Sequence, residues 1–287
     1  MYVGRFAPSP TGPLHFGSLV AALASWLDAR AAGGRWLVRI EDLDSPRVQP
    51  GAADDILRTL EGLGLYWDDA PVFQSRRTSL YRGALDALKP HLYWCGCSRR
   101  EIADSSPLGL AADGARIYPG TCRSGLPTGK TARALRIRVE AGVIAFTDRL
   151  QGPQGQDLPR QVGDFVLARP EDQFTYQLAV VVDDAEQAVS HVVRGADLLD
   201  STSRQIHLQR LLGYSEPAYL HVPVAVNAAG EKLSKQTGAR PIDPASGRQV
   251  LRQALAFLGQ ADTDDLSEAT RNWDPALIPA ARTYRVD

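Results

Sequence analysis

Apolar positions fall into two textures along this chain. Residues 2–6 and 35–40 are short apolar runs closed off by Gly, Pro and charged residues, the pattern of buried strands. Residues 18–32, 52–63 and 79–88 carry apolar side chains at helical intervals and predict three helices. Strands separated by helices imply a parallel sheet, hence an α/β fold. From residue 92 to about 163 the rhythm breaks. Cysteines, Pro, Gly and the short apolar runs 134–139 and 143–146 predict a small insertion with irregular and β parts. The alternation then returns, with expected buried strands at 165–167, 179–182 and 191–193 and a helix at 203–212. Two amphipathic helices, 248–258 and 267–274, form a short helical tail. The expected organisation is a first α/β half (1–90), an insertion (91–164), a second α/β half (165–240) and a helical region (241–287). There is no internal repeat and no low-complexity tract.

Composition narrows the class. A chain of 287 residues with 44% hydrophobic content can bury a substantial core. Net charge is −1, so any nucleic-acid partner must use a local basic face rather than a global field. No apolar run is long enough to span a bilayer, and the N-terminus lacks the pattern of a signal peptide. The 3 cysteines cannot all pair with one another and point to a reducing compartment, so a cytoplasmic location is expected.

The richest segment is Arg5-Phe6-Ala7-Pro8-Ser9-Pro10-Thr11-Gly12-Pro13-Leu14-His15-Phe16-Gly17-Ser18. A strand runs into a Pro/Gly loop that ends on a helix start, where free N–H groups and the helix dipole favour an anion. His15 can donate to a phosphate, and Gly17 leaves room for a flat ring against the backbone. Far downstream, Lys232-Leu233-Ser234-Lys235-Gln236 offers two cations and a hydroxyl on a loop, the complement of such a site. The segment Gly125-Leu126-Pro127-Thr128-Gly129-Lys130-Thr131 is not a phosphate loop. It has three residues between its glycines, where a P-loop has four, and no apolar strand leads into it.

Together the two segments resemble the HIGH and KMSKS signatures of class I aminoacyl-tRNA synthetases, and the lead-in to His15 resembles the glutamyl branch. The departures are Ser18 for the second His, Leu233 for Met and Gln236 for the final Ser. That resemblance implies the split Rossmann-like parallel sheet of the class I synthetase catalytic fold, and on it His15, Gly17, Ser18, Lys232, Ser234 and Lys235 form the catalytic set, with His15, Gly17 and Lys235 on ATP. Mg²⁺ would accompany the phosphates, held mainly by substrate oxygens and water.

The amino-acid pocket is argued from charge. Arg39-Ile40-Glu41-Asp42-Leu43-Asp44 places acids at a strand end, where a carboxylate can hold an α-ammonium. Arg5 and Arg194 can each hold a carboxylate. Asp42, Asp44 and Arg47 are expected as structural braces. The resemblance extends to Phe174-Thr175-Tyr176-Gln177-Leu178-Ala179 and His191-Val192-Val193-Arg194-Gly195-Ala196-Asp197. It implies that Arg5, Ser9, Glu41, Tyr176 and Arg194 bind glutamate.

Cys95-Gly96-Cys97 and Tyr118-Pro119-Gly120-Thr121-Cys122 form a candidate metal site. Three thiolates can converge on tetrahedral Zn²⁺, with Tyr118 or His91 as the fourth ligand. Short proteins similar to glutamyl synthetases carry a Cys-x-Cys…Tyr-x-x-x-Cys site, which implies one structural Zn²⁺ per chain on Cys95, Cys97, Tyr118 and Cys122.

The sequence stops shortly after the KMSKS-like segment, where a full glutamyl-tRNA synthetase would continue into an anticodon-binding domain. The whole pattern resembles the glutamyl-queuosine tRNA(Asp) synthetase family. That resemblance implies a ligase that activates L-glutamate with ATP in the absence of tRNA and transfers it to queuosine at the wobble position of tRNA(Asp); a monomer is expected. A truncated enzyme charging the 3′ end of tRNA(Glu), or a non-catalytic ATP- or glutamate-binding module, are the competing expectations.

Overall fold

The computed structural model describes residues 1–106, 109–112, 114–140, 142–233, 241–243 and 246–285. The chain opens β1 (Val3–Phe6), α1 (Phe16–Ala31), β2 (Arg35–Ile40), α2 (Ala52–Gly62), β3 (Val72–Phe73) and α3 (Thr78–Ala87). β1, β2 and β3 pair in parallel, with Val3 opposite Arg35 and Arg39 opposite Val72. The next stretch holds β4 (Leu92–Cys95), α4 (Arg99–Ser105), β5 (Ala134–Ile137), β6 (Val143–Asp148), β7 (Gly152–Asp157), α5 (Leu158–Gln161), β8 (Val166–Arg169) and β9 (Gln173–Phe174). It is followed by α6 (Tyr176–Glu186), β10 (His191–Gly195), α7 (Thr202–Leu212), β11 (Ala218–Val222), β12 (Val224–Val226), α8 (Gly247–Phe257), α9 (Leu266–Arg271) and β13 (Thr283–Arg285).

β10 and β11 continue the parallel layer on the other side of β1. Ser190 N–H donates to the Val3 carbonyl at 3.0 Å, and Val3 N–H donates to Ser190 Oγ at 2.9 Å. The strand order therefore reverses between β1 and β10. In an open α/β sheet that is where a crevice forms at the carboxyl ends of the strands. α1 covers one face: Leu19, Leu23 and Leu27 pack in one core with Trp36, Val38 and Ile40 of β2 and with Leu251 and Leu255 of α8.

One expectation needs correction. Residues 179–182 are not a strand; they lie inside α6. Leu178 through Asp184 are all buried in that helix, which packs against α3, α7 and β8. A helix enclosed on every side has no polar face, so its apolar run loses the helical period. The strands from β4 to β9 divide between two sheets. β8 and β9 extend the antiparallel sheet β4-β5-β8-β9, while the β6–β7 hairpin leaves it and joins the parallel layer, Asp148 pairing with Tyr219 of β11. Partner choice between strands far apart in sequence leaves no local trace. Among the described residues, no helix is long and apolar enough to cross a membrane.

Candidate active site

The N-terminal end of α1 is built by short-range bonds. His15 is the N-cap, and its ring Nδ1 accepts from Ser18 N–H at 3.3 Å. His15 N–H donates to Ser18 Oγ at 2.9 Å, closing a capping box. Because Nδ1 accepts, the proton of the neutral ring sits on Nε2. The Ser18 hydroxyl also donates to the His15 carbonyl at 2.8 Å, so it braces the helix start. A methyl on Gly17 would lie 3.2 Å from the Leu233 carbonyl oxygen and 3.4 Å from the His15 ring. Glycine thus lets the two motif segments meet.

The second motif begins on a tight turn. Asn227 Oδ1 accepts the N–H groups of Ala229 and Glu231, and Leu233 N–H donates to the Ala225 carbonyl at 2.8 Å. The Lys232 ammonium pairs with Asp197. Ser234 and Lys235 lie outside the described residues. Beyond them, Ile242 N–H donates to the Leu14 carbonyl at 3.0 Å, and His15 bridges Pro241. The chain that follows residue 240 is therefore bonded to the loop around His15, while Lys232 and Leu233 before it are tied to Asp197 and Ala225.

A cleft of about 500 Å³ opens at the strand switch. Arg5, Ser9, Glu41, Tyr176 and Arg194 all line it, together with His15, Gly17, Ser18 and Lys232. Asp44, Arg47 and Asp197 line it as well, whereas Asp42 turns away and accepts from Ser75 N–H at 2.8 Å and from its hydroxyl at 2.6 Å. Asp44 pairs with Arg47 on the surface.

Arg5, on β1, is held by Asp184 of α6 through Nε at 3.2 Å and Nη2 at 3.3 Å. Fully buried Arg39 shares the same carboxylate at 2.7 Å and lies 3.5 Å from Glu41. Asp183, the neighbouring acid, accepts from Tyr81, Gln74 and Arg77 at 2.8, 2.8 and 2.6 Å. Burial pushes the Glu41 carboxyl up to about 7, against the pull of Arg39 and Arg5. Glu41 Oε1 has no hydrogen-bond partner among the described residues, which suits it to an incoming ammonium.

Arg194, on β10, is held differently. Its Nε donates to His221 Nε2 at 2.9 Å, Nη1 to the Tyr176 hydroxyl at 3.1 Å and Nη2 to Thr202 Oγ1 at 2.9 Å. Sequence reasoning missed His221 and its partner Asp148, along with the acids Asp183 and Asp184. The only sequence signal for the last two was a pair of acids closing an apolar run.

In the insertion, the Sγ atoms of Cys95, Cys97 and Cys122 all lie within 4.8 Å of one another. The Tyr118 hydroxyl sits among them, 3.3 Å from Cys95 Sγ and 3.7 Å from Cys97 Sγ, and accepts from Cys122 N–H at 2.9 Å. A tetrahedral metal with sulfur bonds of about 2.3 Å has donor–donor edges of about 3.8 Å, so this donor set fits one. Burial raises the Cys97 thiol to about 11, with the neighbouring thiols adding to it; a divalent cation would reverse that preference. Arg136 lies over the Tyr118 ring at 3.9 Å. His91 is not in the group: it ends the turn before β4, and its carbonyl accepts from Arg138 N–H at 2.9 Å. The cluster can hold a metal ion.

Residues 2–258 match the family model of class I tRNA synthetases (E and Q), catalytic domain, and the chain belongs to that family. It is 59% identical over 271 residues to the glutamyl-Q tRNA(Asp) synthetase of Aromatoleum aromaticum, covering 94% of this chain and 85% of that one. To the glutamyl-Q tRNA(Asp) synthetase of Dechloromonas aromatica it is 61% identical over 268 residues, covering 93% and 89%. The fold is shared with a glutamate-tRNA synthetase from Elizabethkingia anophelis, with a TM-score of 0.82 at 24% identity over 100% of this chain and 68% of that one. The chain is thus a ligase-type synthetase domain whose near relatives carry the glutamyl-Q name.

Proposed function

We propose that this protein activates L-glutamate with ATP, without tRNA, and transfers it to queuosine at the wobble position of tRNA(Asp). The observation that carries the proposal is identity near 60% over most of the chain with synthetases of that name. The cleft supports it. Arg5 and Arg194 face a dicarboxylic amino acid, and Glu41 takes its α-ammonium.

An α-carboxylate oxygen attacks the α-phosphate, and pyrophosphate leaves in line. The chain's task is to position these groups and to balance negative charge. His15 Nε2–H and the α1 N-terminus take one side of the triphosphate; Lys232 and Lys235 take the other. Lys232 must leave Asp197 to do so. Ser18 contributes through the helix cap, and Ser234 braces its loop. Mg²⁺ bound with ATP supplies further charge balance on the phosphates. The queuosine hydroxyl then attacks the mixed-anhydride carbonyl and AMP leaves. Cys95, Cys97, Tyr118 and Cys122 hold a structural Zn²⁺, and the protein works as a cytoplasmic monomer.

The test supplies labelled glutamate, ATP and tRNA(Asp) with or without queuosine. Label on the queuosine-containing tRNA alone is expected. Label on tRNA(Glu) instead would replace the acceptor, and absence of glutamate-dependent pyrophosphate exchange would remove the activity altogether. Elemental analysis of the purified protein should find close to one zinc per chain, and a metal-free, folded sample would overturn the metal assignment.

A further inference from the structure

We propose that Asp148 and His221 form a positioning pair that sets the orientation of Arg194 and, through it, the binding of the glutamate carboxylate. The inference rests on the glutamate reading of the cleft given above.

An arginine guanidinium only donates, and it stays charged at any working pH. Arg194 Nε points at His221 Nε2 from 2.9 Å, so that ring nitrogen has to be an unprotonated acceptor. The Thr202 hydroxyl lies 3.3 Å from the same nitrogen and provides a second donor there. The imidazole proton must therefore sit on Nδ1, and Asp148 Oδ2 receives it at 2.6 Å. His221 and Asp148 are completely or almost completely buried, so no water competes for either nitrogen. Burial also keeps the His221 imidazole neutral, with a pKa lowered to about 4.

The two oxygens of Asp148 have separate tasks. Oδ1 accepts the backbone N–H groups of Leu150, Gln151 and His221 at 3.0, 2.8 and 3.2 Å, while Oδ2 faces the imidazole. Asp148 reaches this place because the β6–β7 hairpin docks on β11 beside Tyr219. On the ligand side, His221, Thr202 and the Leu198 carbonyl engage Nε and Nη2 of Arg194. That leaves Nη1 beside the Tyr176 hydroxyl at the cleft wall. Because Tyr176 accepts from Nη1, its own proton is available, and the two groups together form a donor pair for one carboxylate. A rotation of the guanidinium would separate them.

Asp148→Asn is nearly isosteric and separates positioning from packing. The amide oxygen keeps the three backbone bonds, but its NH₂ now donates to Nδ1. The ring proton moves to Nε2 and faces Arg194, donor against donor. The expected result is a rise of about tenfold or more in the KM for glutamate in pyrophosphate exchange, with kcat and the KM for ATP little changed. Long-range proton–nitrogen NMR of the 5 histidines should show the His221 tautomer switched. His221→Gln, whose amide oxygen can replace Nε2 as acceptor, should bind glutamate nearly as the parent does, whereas His221→Leu should lose affinity. This pair decides the matter if Asp148→Asn does not fold. A switched tautomer with unchanged glutamate KM, while Arg194→Gln raises that KM, overturns the positioning role. If Arg194→Gln itself leaves glutamate binding unchanged, the glutamate reading of the cleft fails, and the proposal falls with it.

Discussion

Arg5 and Arg194 sit on the two strands that flank the sheet reversal, and both line the cleft, yet they are braced by opposite means. Arg5 belongs to a buried ionic cluster in which Asp184 serves both Arg5 and Arg39, with Glu41, Asp183 and Arg77 close by. Arg194 is held by an imidazole, a phenol, a threonine hydroxyl and a carbonyl, all of them neutral. An ionic brace compensates the charge it positions and leaves a buried ion stranded if one member is lost. A neutral brace fixes orientation and leaves the charge for the ligand. The Arg5 side is thus a charge-balanced foundation, and the Arg194 side is a poised cation.

The largest test removes the shared carboxylate. Asp184→Leu leaves Arg5 and Arg39 without their common partner inside the protein, a cost on the order of 3–5 kcal/mol. Denaturant unfolding should show a loss of that size; a variant as stable as the parent would show that the cluster is not a foundation.

The next effect distinguishes the sides by pH. Burial raises the Glu41 carboxyl to about 7, and on the glutamate reading proposed above only its ionised form would hold the ammonium. The KM for glutamate should therefore fall about tenfold between pH 6 and pH 8, a trend that vanishes in Glu41→Gln. Folding stability runs the other way. A carboxyl raised to about 7 in the folded chain binds its proton more tightly than in the unfolded chain, so its contribution declines as pH rises from its ordinary value of 4.5 toward 7. The Arg194 side adds nothing over that range, because His221 stays neutral down to about 4. A glutamate KM flat from pH 6 to 8 would remove Glu41 from this role.

The smallest effect belongs to the neutral brace. Thr202→Val removes one of several hydrogen bonds to Arg194 and should cost about 1 kcal/mol in unfolding free energy, with a modest rise in glutamate KM. A loss as large as that of Asp184→Leu would erase the contrast between the two sides.

Much of the site was legible in the sequence because the bonds that build it there are local. The strand–loop–helix junction at His15 is read from residues 5–18, and its capping box spans four residues. The three cysteines and Tyr118 show their ligand spacing directly. Arg5, Glu41 and Arg194 stand out as charges at the ends of apolar strands, which is where the cleft opens. Ser18 was legible as a hydroxyl, but its part in capping depends on the direction of the first helical turn.

Sequence by itself determined the residue types and their local spacing: a histidine-capped helix start, a lysine loop, arginines and an acid at strand ends, and a thiol cluster. These signals depend on residue type and on spacing within a few turns of chain. Tertiary structure alone decided what stands behind each functional group. It turned the apolar run at 179–182 into a buried helix that delivers Asp183 and Asp184 to the arginines. It also carried Asp148, on a hairpin of the insertion, to His221 of a distant strand. The reason is physical. Local periodicity records which face of an element is apolar, whereas an electrostatic brace needs two distant segments held side by side, and only the packing of the sheet and its helices sets that meeting.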